Sequence, residues 1–537
     1  RGGICVKSSP YENNPYTSDL PPAEPRPPLP PAPALPTGGR ELALALVLAV
    51  LSLLTANSLL YSGLRLGCAL GICGIFTVTA VYLLLRVRRV SWYSLACLAA
   101  GLILTASLAR SSDDFVKFFL LLLAMTAYLL GLSQTVWASS YPAGRLISLA
   151  GAGRALLAEP YPQIAPALRG LFTKQTPDGP QRRRVGGVLL GLLLSIPALV
   201  IILPLLIRSD AAFEGLMGKT ILADASELIV TVLFGFLLFL PVYARPVALA
   251  QDQEPEPRPA PAGGFSPVTL NTFLAAVSFF YLLYLVSQLA YFFSAFGGIL
   301  PQGFTPAEYA RRGFFEMAAL CGINLLIVLV SLCRIRRDPN VPVLTRVLCL
   351  FILLFSLVLS ACAASKMSLY IGAFGLTRLR VLTSLFMLCV AVALVCVAVW
   401  ILAPRFPYMK IAVLAALLVG CWTGWMDVDT QIARYNVNAY LSGRLDTVDV
   451  AHLAGLSDGA VPQLARLLEA EDPQIRAQAR EVLADRVLEY YYVTEQNGAV
   501  TLQAREEPRL RGWTWTQAQA LPLLESLAPE LQDELLD

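Results

Sequence analysis

The stretch LALALVLAVLSLLTANSLLY, from Leu42 to Tyr61, carries no charged side chain. A helix of about 20 residues rises about 30 Å, the depth of a bilayer's hydrocarbon core. Within lipid every backbone N–H and C=O must be satisfied inside the segment, so such a run reads as a transmembrane helix. It is too long for a signal-peptide core, and no small-x-small cleavage site follows it. Similar runs recur at 66–85, 92–108, 115–137, 185–207, 221–243, 268–293, 314–333, 341–362, 381–402 and 408–425. Together they predict an all-α fold, a polytopic integral membrane helix bundle of about eleven transmembrane helices. A small soluble C-terminal helical domain follows Met426.

Composition agrees with this class. Hydrophobic residues make up 56% of the chain and charged residues 15%, against about 45–50% and about 25% in soluble proteins. The net charge is only +4 and no basic run interleaves with aromatics, so nucleic acid is not expected as a partner. Apart from Cys5, the cysteines fall inside apolar runs, where they act as small hydrophobes and imply no disulfide framework. The single histidine, His452, lies outside the membrane runs. With no Walker loop, dinucleotide glycine fingerprint or Gly-x-Ser-x-Gly elbow, no cofactor and no metal are expected.

The organisation follows from shifts in composition. Residues 1–40 begin without Met and culminate in Pro27-Pro28-Leu29-Pro30-Pro31, a disordered tail by composition. Residues 41–244 form an N-terminal bundle of about six spans. It is interrupted by 138–184, where 145–158 and 163–174 mix Arg and Lys with apolar residues at helical spacing and predict interfacial helices. Residues 245–264 alternate proline with charge and read as a linker. Residues 265–426 hold about five further spans. From 427 to 537 the chain turns soluble, with two helices after Gly459 and Asp472, a third after Trp515 and a fourth ending near Leu536; Asp458 and Asp472 are the expected N-caps. Pro197, Pro204 and Pro241 predict kinks, and Gly67/Gly71, Gly187/Gly191 and Gly420/Gly424 have the spacing that lets helices approach closely.

Lys and Arg collect at 86–89, 145–184 and 334–337, and alternation of the spans puts all three clusters on one side. The positive-inside rule makes that side cytoplasmic, with the N-terminal tail. The C-terminal domain is then extracytoplasmic.

Polar residues near span ends are the candidates for function, because they are costly in lipid. Asp224 and Glu227 lie three apart near the start of the sixth span; Arg311, Arg312 and Glu316 open the eighth; Lys366, Tyr370, Arg378 and Arg380 fill the ninth-to-tenth connection; Asp427, Asp429 and Arg434 follow the last span. On this topology all of them sit at one level of the membrane. Two readings stand: ion pairs that seal the bundle and dock the outer domain, or the lining of a cavity for an anionic or zwitterionic ligand. Phe280, Tyr281, Tyr284, Tyr291, Phe292 and Phe293 on the seventh span supply either an interfacial belt or a pocket wall. Asp113-Asp114 is similar to the acidic pairs by which polytopic glycosyltransferases hold a metal, but a solvated turn beside Lys117 accounts for it more simply.

Four strings carry a resemblance: Pro306-Ala307-Glu308-Tyr309-Ala310-Arg311-Arg312-Gly313-Phe314-Phe315-Glu316, Met367-Ser368-Leu369-Tyr370, Gly375-Leu376-Thr377-Arg378-Leu379-Arg380 and Asp429-Thr430-Gln431-Ile432-Ala433-Arg434-Tyr435-Asn436. They resemble a bacterial family catalogued as domain of unknown function forty-one seventy-three, which has a close sister family. The likeness spans roughly 265–456 and implies a multi-pass protein of the bacterial cell membrane with an undetermined role and no catalytic residues to carry over. The expectation is a non-enzymatic membrane protein with an outward-facing polar site for a small anionic or zwitterionic ligand or an envelope protein, linked to signalling or envelope assembly. A permease for a small polar solute and an outer-interface lipid-linked glycosyl or phosphoryl transferase are the alternatives. Oligomeric state is not legible.

Overall fold

In the computed structural model, the described residues are 38–86, 90–136, 153, 160–172, 202, 211–251, 266–296, 314–335, 342–496, 499–505 and 512–536. The membrane helices are α1 (Gly39–Ser62), α2 (Leu66–Arg86), α3 (Trp92–Ser107), α4 (Asp114–Val136), α6 (Ala211–Gln251), α7 (Pro267–Phe296), α8 (Phe314–Ile335), α9 (Val343–Phe374), α10 (Arg378–Leu402) and α11 (Tyr408–Met426); α5 (Pro160–Phe172) is a shorter helix packed on α6. Among the described residues eight helices are long and apolar enough to cross a membrane, and Trp92–Ser107 and Glu316–Leu332 are shorter apolar helices. Each expected run overlaps one of these helices, except 185–207, of which only residue 202 is among the described residues. Residues 1–37, the 145–158 segment apart from residue 153, Pro197, Pro204 and the Gly187/Gly191 pair lie outside them too; the tail expected over 1–40 is shorter at its end, since α1 already starts at Gly39.

The helices alternate in direction. Glu41 at the start of α1 accepts a hydrogen bond from Tyr82 (3.1 Å) and pairs with Arg86 at the end of α2, while Gly38 N–H caps its other oxygen at 2.8 Å. At the far end of the same pair, Tyr61 donates to the Glu227 carbonyl at 2.9 Å, which sets α6 antiparallel to α1. Ser94 Oγ donates to the Gly131 carbonyl at 2.7 Å and lies 2.6 Å from Thr135 Oγ1, joining the start of α3 to the end of α4. A Cβ on Gly71 would run into Thr55, and one on Gly424 into Ser107, so these glycines let neighbouring helices approach closely.

α7–α9 pack on a buried apolar cluster that includes Leu274, Val328 and Leu353, and polar contacts run through it, as is common between membrane helices. Tyr281 donates to Asn324 Oδ1 (2.6 Å), Asn324 Nδ2 donates to Ser356 Oγ (2.9 Å), and Thr345 donates to Asn271 Oδ1 (2.6 Å). Tyr281 also stacks on Phe355, whereas Phe279, Phe280 and Val286 are exposed along α7. The side chains of 291–293 lie outside the described residues.

Two expectations need correction. The linker expected at 245–264 starts later: α6 continues to Gln251, with Arg245, Val247, Ala248 and Leu249 buried. α11, grouped by sequence with the C-terminal five, packs its second half on the N-terminal helices, Gly420 against Leu104 and Leu123, Gly424 against Ser107 and Leu120.

After α11 come α12 (Val428–Leu441), α13 (Val450–Ala454), α14 (Val461–Ala465) and α15 (Pro473–Tyr490), then an antiparallel hairpin β1 (Tyr491–Gln496) and β2 (Ala499–Ala504), then α16 (Trp515–Leu527) and α17 (Gln532–Leu536). Asp472 caps α15 through Gln474 N–H at 2.8 Å, with Pro473 at the first helical position. The hairpin was not expected. One continuous core runs from α1–α4 and α6 through α11 and α12 into Leu453, Leu464, Leu483 and Leu524 of the C-terminal part.

Candidate functional site

The place where the C-terminal part meets the bundle is built from short turns in which several polar groups, among them Asp113, Asp427, Asp429 and Asp458, are buried. Arg378, the first residue of α10, presents a planar fork. Its Nε donates to Asp429 Oδ1 at 2.7 Å and its Nη2 to Asp429 Oδ2 at 2.6 Å, a bidentate pair. Asp429 is fully buried, and its Oδ2 also accepts from Ser457 N–H at 2.7 Å. On its other side Nε of Arg378 lies 3.3 Å from Asp113 Oδ2. One guanidinium thereby ties the α3–α4 turn to α12.

Beside it a second clasp needs no charge. Asn436 on α12 accepts from Leu376 N–H at 2.6 Å and donates to the Leu376 carbonyl at 2.9 Å. Gly375, at φ +71°, ends α9 there, and a Cβ on it would meet Asn436. The Gly375–Arg380 and Asp429–Asn436 strings therefore grip each other.

Asp458 was expected to cap a helix. Its buried carboxylate instead accepts from Ser112 Oγ at 2.6 Å and Tyr490 OH at 2.8 Å, with Arg486 4.0 Å away, and Ser457 takes the N-cap position. Burial and this carboxylate push the Tyr490 phenol up. Trp515 N–H donates to the Ala109 carbonyl (2.9 Å), Thr516 N–H to that of Arg110 (3.1 Å) and Leu66 N–H to that of Trp513 (3.2 Å). The turns after α1, α3 and α9 are all held by the C-terminal part.

The solvated turn expected at Asp113-Asp114 is corrected in half. Asp114 is exposed, but Asp113 is buried and Lys117 is 1% exposed. Asp427, at φ +51°, joins α11 to α12 and is also buried. It accepts from Thr430 Oγ1 through Oδ2. Lys117 Nζ, Asp427 Oδ1 and Asp113 Oδ2 are buried without a well-formed hydrogen bond. Burial raises the Asp427 carboxyl, which the Thr430 and Ser111 hydroxyls partly offset. Burial and the neighbouring Asp429 charge raise Asp113, against the pull of Arg378.

Of the residues singled out from sequence, Arg378, Asp427 and Asp429 come together here. Arg380 stacks on Tyr370, 3.9 Å from guanidinium to ring centroid, and donates to the Phe374 carbonyl at 2.9 Å, closing the end of α9. Glu316 is exposed within electrostatic reach of Lys366, and Glu227 and Arg434 are exposed elsewhere at this end. Arg311, Arg312 and the Asp224 side chain lie outside the described residues. Sequence reasoning missed Ser457, Asp458 and Tyr490 as partners, and Asp113 and Lys117 as buried groups. Among the described residues no three His, Cys, Asp or Glu side chains are arranged to hold a metal ion.

A family model described as Domain of unknown function (DUF4153) matches residues 42–467. The number differs from the forty-one seventy-three expected from the strings, and the match reaches back through the N-terminal half. No curated protein and no solved structure matches the chain.

Proposed function

We propose that this chain, which belongs to the DUF4153 family, is a non-enzymatic membrane protein that holds its C-terminal domain in a fixed pose on the outer face of the bundle. There the domain and the exposed charges Glu227, Glu316 and Arg434 form a platform for an anionic or zwitterionic ligand or an envelope protein. The observation that carries this reading is the Arg378 fork closed on Asp429 and Asp113. Breaking a buried pair costs about 3–5 kcal/mol, so the fork favours one pose strongly. The orientation is a positive-inside reading of the basic clusters at 86–89, 145–184 and 334–337 in the sequence; of these, Arg86 pairs with Glu41 at the end of the bundle away from the domain. The end of α4, joined to the start of α3 through Thr135 and Ser94, lies at the Glu41 end of the bundle, and Glu227 in the first half of α6 lies beside Tyr61 at the other end, which fits an odd number of crossings between the two.

The test has two arms. Ser442→Cys, on an exposed turn, is expected to react with a membrane-impermeant maleimide in intact cells; reaction only after lysis would place the domain inside and end the outer-platform reading. In a deletion strain challenged with envelope-directed antibiotics and detergent, wild-type chain is expected to restore growth and Arg378→Gln, at equal membrane abundance, is not. Full rescue by Arg378→Gln would overturn the fixed-pose reading.

A further inference from the structure

Between α3, α4 and α11 lies a small pocket, lined by Ser107, Ser111, Asp113, Lys117, Thr423 and Asp427 and large enough for about one water molecule. The Lys117 ammonium and the Asp427 carboxylate both line it, each more than nine-tenths buried and each with a polar atom lacking a well-formed hydrogen bond. The hydroxyls can serve as acceptors: Ser107 Oγ already donates to the Leu104 carbonyl (2.7 Å) and Thr423 Oγ1 to that of Val419 (2.8 Å), and each residue lines the pocket with its lone pairs still to fill. The charges do not balance. Asp113, Asp427 and Asp429 stand against Arg378 and Lys117, and one excess negative charge in so buried a place is costly.

We propose that this pocket is a proton-binding site, in which one ordered water links Lys117 Nζ to Asp427 and the carboxyl of Asp427 carries the proton that neutralises the cluster. The water accepts from the ammonium and from the protonated Asp427 Oδ1 and donates to two of the hydroxyl oxygens, within the usual two to four partners. Asp429 is the poorer seat, because both its oxygens already accept from Arg378 and Oδ2 from Ser457 N–H as well. Asp113 lies 3.3 Å from Arg378 and accepts from Phe115 N–H at 3.0 Å, which favours its ionised form. The groups facing Asp427 are thus Ser107 and Ser111 from α3 and its turn, Asp113 and Lys117 from the start of α4, Arg378 from α10, Thr423 from α11, and Asp429 and Thr430 from α12; Arg65 acts on Lys117 from the α1–α2 turn. Burial lifts the Asp427 carboxyl in the sense this requires. The proposal is independent of whether the domain presents a ligand surface.

The full chain in nanodiscs, titrated by infrared difference spectroscopy of the carboxyl stretch, tests it without any variant. A protonated carboxyl titrating well above the ordinary aspartate value of about 3.9 is expected; carboxyl bands confined to that ordinary range would overturn it. Asp427→Asn is expected to abolish the high band and Asp114→Asn to keep it, whereas a high band that persists in Asp427→Asn moves the proton elsewhere and defeats the assignment. Lys117→Gln removes a nearby positive charge and is expected to move the midpoint upward by about one to three pH units. An unmoved midpoint would sever the link to Lys117. Should Asp427→Asn fail to insert, the wild-type and Lys117→Gln titrations decide the matter.

Discussion

The guanidinium of Arg378 puts both of its donors on Asp429 and turns Nε toward Asp113 as well, and its replacement leaves Asp429 buried with a charge and only Ser457 N–H to meet it. Arg378→Gln is expected to destabilise the docked state by about 2–4 kcal/mol, below the fully buried case because the Arg378 side chain is 30% exposed. Thermal unfolding in detergent, followed by tryptophan fluorescence, measures it. Asn436→Ala strips both partners from Leu376 and is expected to cost about 2 kcal/mol by the same measurement. Gly375→Ala is disfavoured twice, by φ +71° and by collision with Asn436, and its cost is expected to be at least as large. The charges in these pairs were legible in the sequence, their pairing was not. Arg378 and Asp429 are 51 positions apart with two spans between them, and side-chain type alone does not say which turns share an end. Asp113 was hidden for a related reason: the cover that buries it arrives from residues 427–516.

At the scale of elements, long apolar runs made the helices readable, because a bilayer admits few other ways to satisfy a backbone. Their mutual packing depends on small residues and hydroxyls that any span could carry. Asn324→Leu removes the middle of the Tyr281–Asn324–Ser356 string and is expected to loosen α7–α9 by only about 1 kcal/mol, since polar contacts between membrane helices are modest. Denaturation in graded SDS checks it, and a loss several times larger would mean that the string does more than join helices. Gly424→Leu forces α11 off α3 and is expected to cost about 1–3 kcal/mol or more. The hairpin did leave a signal that the helical reading passed over: Asn497-Gly498 between Tyr491-Tyr492-Val493-Thr494 and Ala499-Val500-Thr501-Leu502 is the strongest short-range hairpin pattern.

For the whole molecule, the raised carboxyls set the sign of the pH response. Asp113 and Asp427 bind protons more readily folded than unfolded, so their contribution to stability is full below the unfolded value of about 3.9 and is lost as pH rises through their raised folded values. Glu534, held down by Arg480, works the other way and its contribution fades as pH falls through its lowered value. Docking is therefore expected to tighten as pH falls through the raised values of Asp113 and Asp427 and to weaken again in acid strong enough to protonate Glu534, read as protection of Leu453 and Leu483 amides in hydrogen exchange. A response rising steadily with pH would contradict it. The grip of the C-terminal part on the turns after α1, α3 and α9 also orders events in time. A ribosome delivers Trp513 and Thr516 only after every turn they hold has been made, so this late stretch acts as a keystone. A chain stalled or clipped before residue 512 leaves the turns after α1 and α3 without their backbone partners, a state open to recognition and removal by a membrane protease.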